Sequence, residues 1–71
     1  MPYHYHIYTA DFYCPHCERA KSLLRRLGIP FEETIGTLPT GLHSYPQIYF
    51  GPTYIGGCDQ LFKLYRAGEL E

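Results

Sequence analysis

Residues 9–28 read TADFYCPHCERAKSLLRRLG, and most of the fold can be inferred from this stretch. Ala20, Leu23, Leu24 and Leu27 recur at i, i+3, i+4 and i+7, the spacing of one apolar helix face, so a helix is expected from Pro15 to Leu27. Glu18, Arg19, Lys21, Arg25 and Arg26 are read as its other face. Pro15 suits a first helical position, Glu18 and the two terminal arginines suit the dipole, and Gly28 stops the helix at C′. The two cysteines therefore stand at a helix start. There, unpaired amides and the macrodipole favour an anion.

That placement gives C-P-H-C a chemical reading. The thiolate is the nucleophile of disulfide exchange, so a depressed pKa at Cys14 would raise its reactive fraction. Cys17, one turn deeper, would resolve the mixed disulfide. His16 between them is either a tuning group, whose proton favours the thiolate, or a solvated residue of the first turn. Replacing it and measuring the reduction potential separates the two.

Working outward, YHYHIYT (residues 3–9) alternates in polarity and reads as a half-buried strand. IPFEETI (29–35) reads as a second strand, and QIYF (47–50) with TYI (53–55) as a hairpin turned at Gly51-Pro52. Leu61, Leu64 and Tyr65 then return to helical spacing, with Asp59 as the expected N-cap and Gly68 as the stop. The order is β-α-β followed by β-β-α, with no repeat and no linker, which makes residues 1–71 a single expected domain.

Composition bounds the function. With 45% hydrophobic residues and eight tyrosines among 71, a globular fold is expected, though at this length folding buries only about 60% of the unfolded chain's surface. Six basic residues and a formal charge of −1 are too little for phosphate-backbone binding, so nucleic acid is not an expected partner. No apolar run reaches the roughly 18 residues of a membrane span. Three cysteines do not make the paired framework of a secreted miniprotein, and a reducing cytoplasmic location is the expectation.

Taken together, IYT (7–9), YCPHCERAKSLL (13–24), SYPQIYF (44–50) and IGGCDQL (55–61) resemble the glutaredoxin branch of the thioredoxin superfamily over most of the chain. The resemblance implies an α/β thioredoxin-like fold with a four-stranded mixed sheet ordered 2-1-3-4, its third strand antiparallel to the first. It implies a cis proline, Pro46, before that strand, where an X-Pro bond makes the cis form accessible. Tyr45 would pair, strand-like, with the cysteinyl part of glutathione. Gly57, Cys58 and Asp59 would take its γ-glutamyl end, with Asp59 meeting the amine. Cys58 is otherwise a small packed side chain, and Tyr13 a ring shielding the nucleophile.

Two departures stand out. Many relatives hold the glycine carboxylate of glutathione with a lysine after the first strand, where this chain has Ala10, Asp11 and Phe12, leaving water or His43 for that end. And only residues 32–45 separate Phe31 from Pro46, with Gly36, Pro39 and Gly41 among them, so the family's second helix is expected to shrink to a loop. An antiparallel return needs no long crossover. The sheet face bearing His4, His6 and Tyr8 should then be uncovered, and those side chains substantially exposed.

The expected activity is thiol-disulfide exchange, with glutathione as co-substrate and no metal. Its partners would be disulfide-containing proteins, ribonucleotide reductase among the candidates, and the chain a monomer. A second enzyme reading is an NrdH-type redoxin recycled by a thioredoxin reductase. Non-enzymatic alternatives are a [2Fe–2S]-bridging dimer, which needs four thiolates in all, and structural zinc, for which no second C-x-x-C or H-x-x-x-H is present.

Overall fold

The computed structural model describes residues 3–70. Its elements are β1 (Tyr5–Thr9), α1 (Pro15–Arg26), β2 (Phe31–Ile35), β3 (Gln47–Phe50), β4 (Thr53–Gly56) and α2 (Cys58–Arg66). The sheet order is β2-β1-β3-β4, with β1 and β2 parallel and the other two pairs antiparallel, as the resemblance implies. Residues 36–46 contain no helix. Gly36, at φ +82, turns the chain out of β2 and donates its amide to the Thr9 carbonyl at 2.8 Å. The first two strands are shorter than the sequence suggests. Tyr3 and His4 precede β1. Ile29-Pro30 precede β2 because α1 ends in a Schellman turn that uses Ile29: its amide bonds Leu24 O at 2.9 Å, around Gly28 at φ +73.

Strand alternation decides what each face of the sheet buries. Tyr5, Ile7 and Ile48 point to the helix side and meet Ala20, Leu23 and Leu24 of α1 and Leu61 of α2, all buried. The same face carries a polar cluster at the dithiol end of β1. Buried Thr9 donates its hydroxyl to Glu33 Oε2 at 2.6 Å, and Lys21 Nζ donates to the same oxygen at 2.9 Å. Lys21 is therefore not on the solvated face of α1, contrary to the sequence reading. It sits four residues beyond Cys17 and reaches β2. The Thr9 hydroxyl and then the Lys21 ammonium hold the Glu33 carboxyl below its ordinary range, and Glu33 in turn raises Lys21.

The opposite face has no helix over it, but the expected exposure is only partly found. His4 is exposed, whereas His6 and Tyr8 are half-buried. They cover one another: the His6 and Tyr8 rings lie 4.6 Å apart, Tyr8 meets Tyr49 at 5.9 Å, and Tyr49 meets Tyr54 at 5.2 Å. His6 Nε2 also bonds Thr34 Oγ1 at 2.7 Å across to β2. Side chains from all four strands thus supply part of the cover.

Candidate active site

α1 begins where β1 and the core place it. Cys14 is its N-cap, with extended backbone at φ −139 and ψ 92, and Pro15 occupies the first turn. A side chain at an N-cap can accept from the amide two or three residues on. Here Cys14 Sγ accepts from the Cys17 amide at 3.3 Å, the bond that would stabilise charge on this sulfur. Cys14 and Cys17 are joined in a disulfide, the oxidised state of the pair. Cys17 is 1% exposed and Cys14 partly accessible, so the sulfur nearer the helix start is the one an incoming group can reach. His16 is exposed.

A cavity of about 270 Å³ lies beside this turn, with His16 on one wall, Ser44–Gln47 on a second, and Tyr54 with Gly57–Gln60 on a third. The Tyr45-Pro46 peptide is cis and Pro46 is buried. Gln47, 5% exposed, fixes that wall. Its amide nitrogen donates to Ser44 O at 2.9 Å and Ser44 Oγ at 3.0 Å, while its oxygen accepts the Tyr54 hydroxyl from β4. A buried amide with three partners loses the freedom to turn, and its neighbours lose it too.

The third wall is the start of α2, which differs from expectation in one respect. Asp59 is not the N-cap but lies in the first turn; the cap is Gly57, whose amide donates to Gln60 Oε1 at 2.9 Å. A glycine cap has no side chain to offer, so the residue three positions on supplies the acceptor. Gly57 also passes close to Pro46: a Cβ on it would lie 3.4 Å from the Pro46 carbonyl oxygen. Cys58 is 4% exposed and burial pushes its thiol up, so it is a neutral wall residue.

Of the residues singled out from the sequence, His16, Tyr45, Pro46, Gly57, Cys58 and Asp59 share the cavity, two positions from Cys14 and one from Cys17 by way of His16. His43 is exposed and does not line it. Tyr13, 84% exposed, stands out into solvent, unlike the shielding ring expected beside Cys14. Phe12, 65% exposed, meets the Tyr45 ring edge-on at 5.9 Å. Sequence reasoning passed over Ser44, Gln47, Tyr54 and Gln60. The signal for Gln47 was a lone polar residue between Pro46 and the apolar run of β3.

Among the described residues no three His, Cys, Asp or Glu side chains converge as a metal ion requires, and no helix is long and apolar enough to cross a membrane.

The glutaredoxin family model matches residues 6–35. A glutaredoxin of Pseudomonas aeruginosa is 41% identical over 92% of this chain and 88% of its own length, and glutaredoxin 3 of Escherichia coli is 37% identical over 92% and 89%. Among solved structures, the glutaredoxin of Brucella melitensis superposes with a TM-score of 0.78 at 36% identity, covering 93% of this chain and 82% of that one. A buckwheat glutaredoxin in complex with glutathione superposes with a TM-score of 0.83 at 25% identity, covering 96% and 73%.

Proposed function

The chain belongs to the glutaredoxin family and is a thiol-disulfide oxidoreductase, and from that premise we propose that glutathione recycles it, with Cys14 as nucleophile and Cys17 as resolving thiol. The Cys14 thiolate attacks one sulfur of a substrate disulfide, forming a mixed disulfide and expelling the other half as a thiolate. Cys17, deprotonated, then attacks Cys14 Sγ, releases the bound half and leaves the Cys14–Cys17 disulfide. Two glutathione thiols return the pair to the dithiol and leave as one glutathione disulfide, so electrons and protons balance.

The observation that carries this reading is the cavity next to the dithiol turn, walled by Tyr45-Pro46 and the start of α2. An extended cysteinyl peptide lying along Tyr45 would place an α-carboxylate at the Cys58 and Asp59 amides, which the first turn of a helix leaves without intrahelical partners. Asp59 supplies the counter-charge for an amine. Gly57 donates to Gln60 and serves by leaving room. The buckwheat complex, in which a protein of this fold holds glutathione, supports the assignment. His16, on the cavity wall, tunes the dithiol toward the thiolate. Disulfide-containing proteins are the substrates, and the three-cysteine composition favours a reducing cytoplasm as the place of work.

The test is disulfide reduction coupled in one series to glutathione with its reductase and in another to a thioredoxin reductase. Turnover only in the first supports the reading, and turnover only in the second replaces it with the redoxin alternative. His16→Tyr with an unchanged reduction potential would remove the tuning role.

A further inference from the structure

Beyond the Tyr45 wall the site changes character. Phe12 does not line the cavity, yet its ring meets the Tyr45 ring, so the pair extends that wall outward as an aromatic rim. Phe12 is 65% exposed, a large apolar surface beside a reactive disulfide. Asp11, the preceding residue, turns its carboxylate toward Gly36: a Cβ built there would lie 3.3 Å from Asp11 Oδ2.

Among the described residues no lysine or arginine lines the cavity, and the two arginines found over aromatic rings lie over Phe62 and Phe31. The chain has six basic residues. Lys21 is held by Glu33 and Glu18 at 2.9 and 3.3 Å. Arg19 lies over the Phe62 ring and Arg25 over the Phe31 ring. Arg26 closes α1, and Lys63 and Arg66 close α2.

We propose that Phe12 and Tyr45 form a subsite for the residue that follows the reactive cysteine of the substrate, and that it selects an uncharged, apolar residue there. The inference rests on the preceding reading in taking the substrate cysteine to lie along Tyr45 with the chain before it running toward the start of α2. An apolar side chain on the rim removes aromatic surface from water, whereas a carboxylate there gives up hydration against two aromatic rings that offer it no charge partner. Protein cysteines followed by a bulky apolar residue are the preferred oxidised substrates, ahead of a tripeptide that ends in a free carboxylate.

The test uses mixed disulfides of 2-mercaptoethanol with three capped dipeptides, acetyl-Cys-Leu-amide, acetyl-Cys-Asn-amide and acetyl-Cys-Asp-amide. Each rate of oxidation of the reduced protein at pH 8 is divided by the same disulfide's rate with dithiothreitol. Leucine is expected to exceed aspartate by about tenfold, with asparagine between. Phe12→Ala should cut the leucine rate by about threefold, and Phe12→Lys should invert the order at low salt. A Leu-to-Asp ratio within twofold of one, or a ratio that Phe12→Lys leaves unchanged, overturns the proposal. A fourth arm with the glutathione mixed disulfide reads the recycling assignment separately: its failure would count against glutathione while the Leu-to-Asp ratio still decides the subsite.

Discussion

Both helices begin at a cysteine, and the two cysteines have opposite characters. Cys14 is the N-cap of α1, partly accessible, with the Cys17 amide aimed at its sulfur. Cys58 is the first residue of α2 proper, 4% exposed, and its thiol is pushed up by burial. A helix start therefore does not by itself make a nucleophile. The cap position sends the side chain back across the free amides, while one residue later it turns into the core. The two starts are also fixed differently. α1 is tied to the sheet by Lys21 reaching Glu33, and α2 is braced locally by Gln60 on the Gly57 amide.

The largest expected effect breaks the comparison outright. Cys14→Ser should lower disulfide reduction by about a thousandfold or more, since a neutral hydroxyl replaces the thiolate proposed to attack. Residual turnover within tenfold of wild type would move the nucleophile elsewhere, Cys17 and Cys58 being the remaining thiols.

Next comes the tie that holds α1. Glu33→Gln should cost about 2 kcal/mol in urea unfolding at pH 7, because it strips the ammonium of Lys21 of its main partner while Thr9 keeps a weaker one. The pH dependence has a definite sign. The Glu33 pKa is lowered in the fold, so its contribution is complete above the ordinary value near 4.5 and fades as pH falls through the folded value. The gap between wild type and variant should therefore close in acid. Lys21, raised from 10.5, behaves oppositely, its contribution lasting until pH rises through its folded value.

A smaller effect is expected at the other helix. Gln60→Ala leaves the Gly57 amide to water and should cost about 1 kcal/mol, with a rise in KM for glutathione and little change in kcat. The smallest concerns Cys58. With the Cys14–Cys17 disulfide intact, the folded protein should resist iodoacetamide, and Cys58→Ala should change turnover by less than about twofold. Rapid alkylation of Cys58 would erase the contrast between the two thiols.

The parts of the molecule legible in the sequence are those set by neighbours along the chain. The Ala20–Leu24 spacing, Pro15, Gly28 and the Gly51-Pro52 turn each act within a few residues, and each element appears close to where the pattern puts it. Asp59 misled for the same local reason: it is a good cap residue two positions too late, and Gly57 with Gln60 had already closed the helix end. The polar bonds of the site and its surroundings were out of reach. Lys21 to Glu33 and Thr9 to Glu33 depend on strand register, and Tyr54 to Gln47 on the hairpin folding back, none of which a periodicity can announce. The cysteine pair was legible from its place at a helix start, whereas Tyr45-Pro46 and the glycine pair were found through resemblance.

The helix-free side of the sheet has an optical consequence. The chain contains no tryptophan, so its near-ultraviolet emission comes from tyrosine, and Tyr8, Tyr49 and Tyr54 form one chain of touching rings on that side. Excitation absorbed by one of them can pass to the next, which depolarises the light they emit. Anything that settles on this surface, or pulls β4 away from β3, will change that anisotropy, giving the protein a built-in gauge of its open flank that needs no added dye.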